Sequence, residues 1–257
     1  MLTVKYSGMR SQFERPSLRT SYHLPDGYVH YEHMNKAPLY LLLLTTPALP
    51  QPASFPLDSL TGLEAKNIKM EAANYRGRRC VRLLDQPSTA GPAGQSAAIL
   101  TESDFGDGPI EAEVAGSPRS GAIEAARGFI GIAFRVQPKG DRFECFYIRP
   151  TNGRADDQLR RNHSTQYVSE PDFPWNRLRQ ENPGMYESYA DMQPGVWTKM
   201  KIVVAGLDAR LYVNGADQPC LIVHDLKMGK TRGKIALWVG VDTDGYFSNL
   251  RVTPTAP

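Results

Sequence analysis

The stretch "GVWTKMKIVVAGLDARLYVNG", from Gly195 to Gly215, carries the clearest structural signal in the sequence. Its two halves, "WTKMKIVVAG" and "DARLYVNG", place apolar side chains at alternating positions, which is the pattern of a strand with one buried face. Glycine and aspartate separate the halves, and Asn214–Gly215 ends the second half with the dipeptide preferred in type I′ turns. The stretch therefore predicts two antiparallel strands joined by a tight turn.

The same alternation recurs on both sides of this stretch, in short segments bounded by glycine, proline or aspartate. These segments are "IKMEAANY", "RCVRLLD", "AAILTES", "GPIEAEVAG", "GFIGIAFRVQ", "GDRFECFYIRP", "PCLIVHDL", "GKIALWVG" and "GYFSNLRVTP". No segment has a convincing amphipathic helical period. Many short strands with short turns predict an all-β protein, a two-sheet antiparallel β-sandwich. We expect Phe134, Val203, Leu211, Ile235 and Leu237 between its sheets.

Composition excludes several classes of function. The formal net charge of the 257 residues is only +3, so electrostatics predict no nucleic-acid partner. The cysteines Cys80, Cys145 and Cys220 are widely spaced, and we expect each to be a small buried hydrophobic residue. The sequence also has no phosphate-binding P-loop, no G-x-S-x-G nucleophile motif and no zinc-ligand spacing.

The N-terminal region contains a segment typical of export signals. "MNKAPLYLLLLTTPALPQPASFPLD" begins at Met34 with one lysine, continues with a short apolar run and then has small residues. We therefore predict a signal-peptide-like segment at 34–53 after a spurious or disordered extension at 1–33. The mature domain, 55–257, would be secreted or periplasmic and have no integral membrane span. A hydrophobic segment buried in a folded N-terminal arm is the alternative.

Residues 149–195, here called the insertion, have little periodicity and begin with "RPTNGRADDQLRRNH", from Arg149 to His163. Sugars are bound by planar polar groups together with aromatic faces, and the insertion supplies both. Long irregular loops also tend to be functional. The candidate ligand-binding residues are Arg149, Asn152, Arg154, Arg160, Arg161, Gln166, Tyr167, Trp175, Tyr186 and Glu187. The alternative is a loop whose salt bridges only stabilise the conformation of the loop itself.

The order of the strands resembles a known superfamily. "GFIGIAFRV", "FECFYIRP", "GVWTKMKIVVAGLDARLYVNG" and "GKIALWVGVDTDGYFSNLRV" are similar to the concanavalin A-like, laminin-G-like jelly roll. The same pattern, over roughly residues 65–254, resembles the 3-keto-disaccharide hydrolase domain family. The resemblance implies a carbohydrate ligand and a lyase or hydrolase that acts on 3-keto-glycosides. A non-catalytic, lectin-like module and a protein-interaction module of the laminin-G-like kind are alternatives within the same fold.

The chemistry of a 3-keto sugar suggests candidate catalytic residues. The paired-carboxylate motif E-x-D-x-x-E of the superfamily's retaining glucanases is absent. A ketone at C3 acidifies the proton on C2, so one general base and a cation for the enolate suffice. His163 suits the base because it titrates near neutral pH. Asp156 or Asp157 would orient the histidine or hold a metal with it, and nearby arginines would stabilise the enolate.

A second fragment, "GVDTDGYF" from Gly240 to Phe247, is rich in carboxylates. Oxygen-rich turns of this type hold Ca²⁺, and the laminin-G-like resemblance implies that a divalent metal such as calcium could bind here. The fragment lacks the glutamate of an EF-hand loop.

Overall fold

The computed structural model describes residues 51–85 and 96–255. The described part belongs to one compact unit, residues 47–257. The predicted extension at 1–33 and nearly all of the signal-peptide-like segment at 34–53 lie outside the described residues, so both remain predictions. No helix among the described residues is long and apolar enough to cross a bilayer.

Fifteen strands dominate the described chain, and the two α-helices are short. The strands are β1 (Ala53–Phe55), β2 (Leu63–Lys66), β3 (Ile68–Tyr75), β4 (Arg78–Asp85), β5 (Ser96–Leu100), β6 (Gly108–Pro118), β7 (Ile130–Val136), β8 (Phe143–Ile148), β9 (Thr165–Glu170), β10 (Glu187–Ser188), β11 (Thr198–Ala205), β12 (Asp208–Val213), β13 (Leu221–Val223), β14 (Lys234–Val239) and β15 (Thr243–Val252). The helices are α1 (Gln158–Asn162) and α2 (Trp175–Glu181), preceded by a 3-10 turn at Pro150–Asn152.

The strands form two antiparallel sheets that enclose one hydrophobic core. The first sheet has the order β13-β12-β11-β6-β15-β4-β3, with β1 paired to β15. The second sheet has the order β10-β9-β8-β7-β14-β5-β2. The predicted hairpins are present: β3 and β4 meet at a two-residue turn in which Arg76 and Gly77 both have positive φ, as type I′ requires. The predicted two-sheet β-sandwich is confirmed.

The predicted core is correct except at one position. Phe134, Leu211, Ile235 and Leu237 are fully buried between the sheets. Val203 is only half-buried, because Ile202 pairs with Ile110 and Leu211 and points inward with them. Successive side chains of a strand point to opposite faces, so Val203 lies on the outer face.

The prediction of a long loop at 149–195 was wrong in part. "TQYVSE" is strand β9, and it pairs with all six residues of β8. Its Thr165, Gln166 and Ser169 are buried although they are polar. Both faces of β9 are covered by protein, so the strand lacks the apolar-polar alternation that marks a half-exposed strand. The insertion is thus partly a structural strand, with α1, α2 and β10 arranged around it.

The three cysteines carry no disulfide. Cys80 and Cys145 are buried, as predicted, and Cys220 is half-buried. Burial raises the pKa of all three thiols. These thiols therefore have little thiolate character and belong to the packing of the sandwich.

Candidate functional site

A buried carboxylate joins the two ends of the insertion. Glu187, on β10, has a side chain that is 4% exposed, and its Oε1 lies 3.1 Å from Nε2 of His163, the residue that ends α1. Arg179 of α2 donates to both oxygens of Glu187, with Nη2–Oε2 at 2.6 Å and Nε–Oε1 at 3.0 Å. Arg149 approaches the same carboxylate, with Nη1–Oε2 at 3.8 Å. Four residues that are distant in the sequence thus form one charged cluster, here called the Glu187 cluster.

Two of the predicted ligand-binding residues bind the backbone of His163. Arg149 Nη1 and Asn152 Nδ2 both donate to the carbonyl oxygen of His163, at 2.9 and 3.2 Å. Arg149 also donates through Nη2 to the hydroxyl of Tyr147 and to Oε1 of Gln166. Arg149, Asn152 and Gln166 are all buried, so they position the cluster and do not face solvent.

The electrostatic surroundings keep the His163 imidazole neutral near pH 7. Burial is the main cause that lowers the pKa of His163, and the positive charges of Arg179 and Arg149 add to it. The Glu187 carboxylate opposes this shift. Because Nε2 faces a carboxylate, it carries the proton, and the lone pair of the neutral ring is on Nδ1. The ring is therefore in the tautomer that a general base needs.

A cavity of about 650 Å³ lies beside this histidine, and we call it the histidine cavity. Its lining includes Leu159, Asn162, His163, Arg179, Glu187 and Tyr189. Tyr189 is held by Arg161, whose guanidinium lies 5.0 Å from the ring centre and donates to the hydroxyl at 2.9 Å. The cavity thus has a base, a cationic donor and an aromatic wall.

Other predicted site residues have structural roles. Asp157 caps α1 by accepting from the backbone N–H of Arg160 at 2.7 Å, so Glu187, and not Asp157, orients the histidine. Arg154 forms a bidentate pair with Asp191 on the surface. Asp156 and the side chain of Arg160 are exposed.

Two predicted tyrosines and one predicted tryptophan are also away from the histidine cavity. Tyr167 is fully buried and its hydroxyl donates to Glu144, while Tyr186 is buried and donates to Asp225 at 2.6 Å. Neither tyrosine lines the histidine cavity. Trp175 borders a different cavity, on the outer face of the second sheet.

That second cavity, here called the aromatic cavity, encloses about 340 Å³. Its lining includes Phe129, Tyr147, Glu170, Trp175, Asn176 and Trp238. Burial alone raises the pKa of Glu170 to about 7. Trp238 is buried; it pairs across from Gly131 and packs its ring on Tyr147 with the ring centres 4.8 Å apart, on the outer face of the second sheet. The alternating pattern of "FECFYI" predicts that Tyr147 lies on this face. No pattern in the sequence around Glu170 predicts that its side chain borders a cavity.

A further depression of about 740 Å³ lies on the outer face of the first sheet. Glu113 pairs across from Lys199 and Glu111 from Lys201, so opposite charges alternate along it. Glu113 is further paired with Arg78 and accepts from Asn249 at 2.6 Å. Such cross-strand pairs are typical of a solvated sheet face, which is how Glu111 and Glu113 were interpreted from the sequence.

The fragment at Gly240–Phe247 does not fit a calcium ion. Asp242 is paired with Arg119 and accepts from the backbone N–H of Ile123, and Asp244 forms a bidentate pair with Arg82 at 2.8 and 2.9 Å. Both carboxylates are thus neutralised by arginines. Within the described ranges, no group of three or more His, Cys, Asp or Glu side chains could hold a metal ion.

Comparisons with known proteins agree with this fold. The carbohydrate-binding module CBM66 from Bacillus subtilis is 14% identical, with a TM-score of 0.50 over 75% of this chain and 96% of the module. A protein of unknown function with a galectin-like fold, also from Bacillus subtilis, is 12% identical, with a TM-score of 0.51 over 79% of this chain and 96% of that protein. No curated protein sequence matches. The profile of one domain family matches residues 66–253, and the chain therefore belongs to the 3-keto-alpha-glucoside-1,2-lyase-like domain family.

Proposed function

We propose that this protein cleaves 3-keto-glycosides by elimination and that the histidine cavity is its active site. The observation that carries the proposal is the neutral His163 imidazole, held by the buried Glu187 at the wall of a cavity large enough for a sugar. A general base must be near its substrate and unprotonated at the working pH; His163 lines the cavity, and its lowered pKa favours the neutral imidazole. Family membership supplies the substrate class, a glycoside oxidised at C3.

The reaction needs one proton transfer and one bond cleavage. Nδ1 of His163 removes the proton from C2, and the electrons of the C2–H bond form an enolate whose charge rests on the C3 oxygen. The enolate then re-forms the ketone, a C1=C2 double bond appears, and the C1–O bond breaks. The departing oxygen takes a proton from the imidazolium, so the enzyme ends as it began.

The surrounding groups would stabilise the charges of this sequence. Glu187 faces the positive charge that His163 gains when it accepts the proton. Arg179 uses Nε and Nη2 for Glu187, and in the described part of the chain Nη1 has no hydrogen-bond partner. This Nη1 could donate to the enolate oxygen, as a preorganised donor of an oxyanion site does. Arg160 is a further candidate donor from α1.

The test is turnover of a 4-nitrophenyl 3-keto-α-glucoside, followed by release of nitrophenolate. His163→Ala should lower kcat by about a hundred-fold to ten-thousand-fold, the usual contribution of a general base. His224→Ala is the matched control, because His224 is exposed and pairs with Asp208 outside both cavities. It should keep full activity.

The alternatives predict different results in the same assay. A lectin-like module would bind the 3-keto sugar saturably without releasing nitrophenolate, and a protein-interaction module would do neither. Equal activity in wild type and His163→Ala would show that the proton is removed elsewhere.

The proposal places this activity outside the cytoplasm, on the strength of the signal-peptide-like segment at 34–53. Mass spectrometry of the mature protein should find an N-terminus within the 34–53 segment, before β1 begins at Ala53. A mature N-terminus upstream of Met34 would contradict it.

A further inference from the structure

The aromatic cavity is separate from the histidine cavity. The wall between them is the buried hydrogen-bonded group in which Arg149 binds both the Tyr147 hydroxyl and Gln166. Arg149 lies 5.1 Å from the Tyr147 ring centre, which borders the aromatic cavity, and 3.8 Å from Glu187, which borders the histidine cavity. A ligand of one cavity therefore does not reach the base of the other.

Glu170 is the unusual group in the aromatic cavity. It lies near the end of β9, and its carboxyl makes no ion pair or side-chain hydrogen bond within the described residues. Polar groups that are shielded from water usually have hydrogen-bond partners. A half-buried carboxyl that borders a cavity and has no partner among the described residues is available for hydrogen bonds from a ligand in that cavity.

The aromatic walls define the shape of that ligand. Trp175 is 46% exposed, which is unusual for so large an apolar side chain, and Trp238 and Tyr147 pack together beside it. Aromatic side chains that line a cavity together with a few polar groups are typical of small-molecule sites. The flat C–H face of a pyranose ring fits such a wall, while its hydroxyl groups would bind the Glu170 carboxyl and the Asn176 amide.

The charges around the cavity favour a neutral ligand. The Arg179 guanidinium lies 4.9 Å from the Trp175 ring centre, and Arg149 lies 5.1 Å from that of Tyr147. Since these cations already use the negative faces of the two rings, a ligand cation would be repelled. An anionic ligand would meet the Glu170 carboxyl, and no arginine or lysine lines the cavity within the described residues.

We propose that the aromatic cavity is a second, non-catalytic binding site for a neutral pyranose ring, which stacks on Trp175 and binds Glu170 and Asn176 through its hydroxyl groups. The site is independent of the proposed elimination, because a sugar without a 3-keto group suffices to occupy it.

Tryptophan fluorescence can test the site directly, since the chain has three tryptophans and two of them border this cavity. The probes are the methyl α-glycosides of glucose, galactose and mannose, which have no ketone and cannot be eliminated. At least one should change the fluorescence saturably, with a Kd on the order of 1 mM. Trp175→Ala should weaken this binding at least ten-fold, and Trp197→Phe, on the other sheet, should not.

Glu170→Gln separates a true ligand contact from simple packing. The ionised carboxylate accepts hydroxyl hydrogen bonds more strongly than its protonated form, so wild-type affinity should fall up to about ten-fold from pH 8 to pH 6, in proportion to the ionised fraction. Glu170→Gln should bind more weakly at pH 8 and show no such dependence. His163→Ala should bind the methyl glycosides like wild type, even though it loses turnover.

Three outcomes would overturn the proposal. One is the absence of saturable binding for all three methyl glycosides. Another is identical titration of wild type and Trp175→Ala. The third is tighter binding of tetramethylammonium than of any glycoside, which would identify a cation site. Circular dichroism of each variant excludes misfolding as the cause.

Discussion

Glu187 and Glu170 lie on paired strands of the same sheet, the first buried and the second half-buried, and their surroundings are opposite. Glu187 is contacted by Arg179, Arg149 and His163 within 4 Å, whereas Glu170 borders aromatic rings and has no cation beside it in the described structure. Burial of a charge is costly unless the charge is paired. Glu187 therefore belongs to an ion-paired cluster that holds a histidine, whereas burial without a charged partner raises the pKa of Glu170 to about 7.

The helix α2 produces this difference. Trp175 and Arg179 are four residues apart and thus lie on the same helical face. One end of that face supplies a ring that lines the same cavity as Glu170, and the other end supplies the guanidinium that pairs with Glu187. A single helix of seven residues thus separates a charged site from an apolar one.

The largest effect should follow from removing the paired glutamate. Glu187→Ala leaves the buried Arg149 without its anion and frees Arg179 and His163, so we expect a loss of about 3 kcal/mol in the free energy of unfolding. Urea denaturation measures it. A loss below about 1 kcal/mol would show that the cluster contributes no more than a surface ion pair, and the contrast between the two glutamates would fail.

A smaller effect, and one that depends on pH, should follow from Glu170→Gln. The pKa of Glu170 is raised from 4.5 to about 7 in the folded protein, so its stabilising contribution is complete below pH 4.5 and is lost as the pH rises through 7. After allowance for partial exposure, the ionised carboxyl costs about 1–2 kcal/mol at pH 8. Glu170→Gln should therefore be more stable than wild type at pH 8 and equal to it near pH 4.5.

His163 should give the opposite pH dependence. Its pKa is lowered in the folded protein. The contribution of His163 to the free energy of unfolding is therefore complete above the unfolded pKa of about 6.5, and it is lost as the pH falls below that value. In urea denaturation, His163→Ala should thus lose less stability than wild type between pH 7 and pH 5. Parallel curves for the two proteins would show that the histidine titrates normally.

The smallest effect should come from an exposed ion pair in the same insertion. Arg154 and Asp191 are both more than half exposed, although their geometry is bidentate. Solvent-exposed ion pairs contribute little to stability, so Arg154→Ala should leave the free energy of unfolding almost unchanged in urea denaturation. A loss as large as that of Glu187→Ala would mean that burial is not what distinguishes the Glu187 cluster.

The sequence by itself determined the architecture and the chemical types of the site. Side-chain direction alternates along a strand for purely local reasons, so the hairpins and the two sheets follow from the pattern, and the misplaced Val203 is an error of one residue in register. The residue types in the insertion also marked His163, Glu187 and Trp175 as candidates before any contact was known.

Only the tertiary structure decided which charged side chains form ion pairs and how deeply each of them is buried. Glu187 holds His163 across the insertion, and Asp157, although nearer in the chain, is used as a helix cap. The pKa of Glu170 depends on burial in a cavity walled by Trp175 and Trp238, which come from different parts of the sequence. Desolvation and ion pairing depend on distances in space, and residues far apart in the chain set those distances only once both sheets have packed.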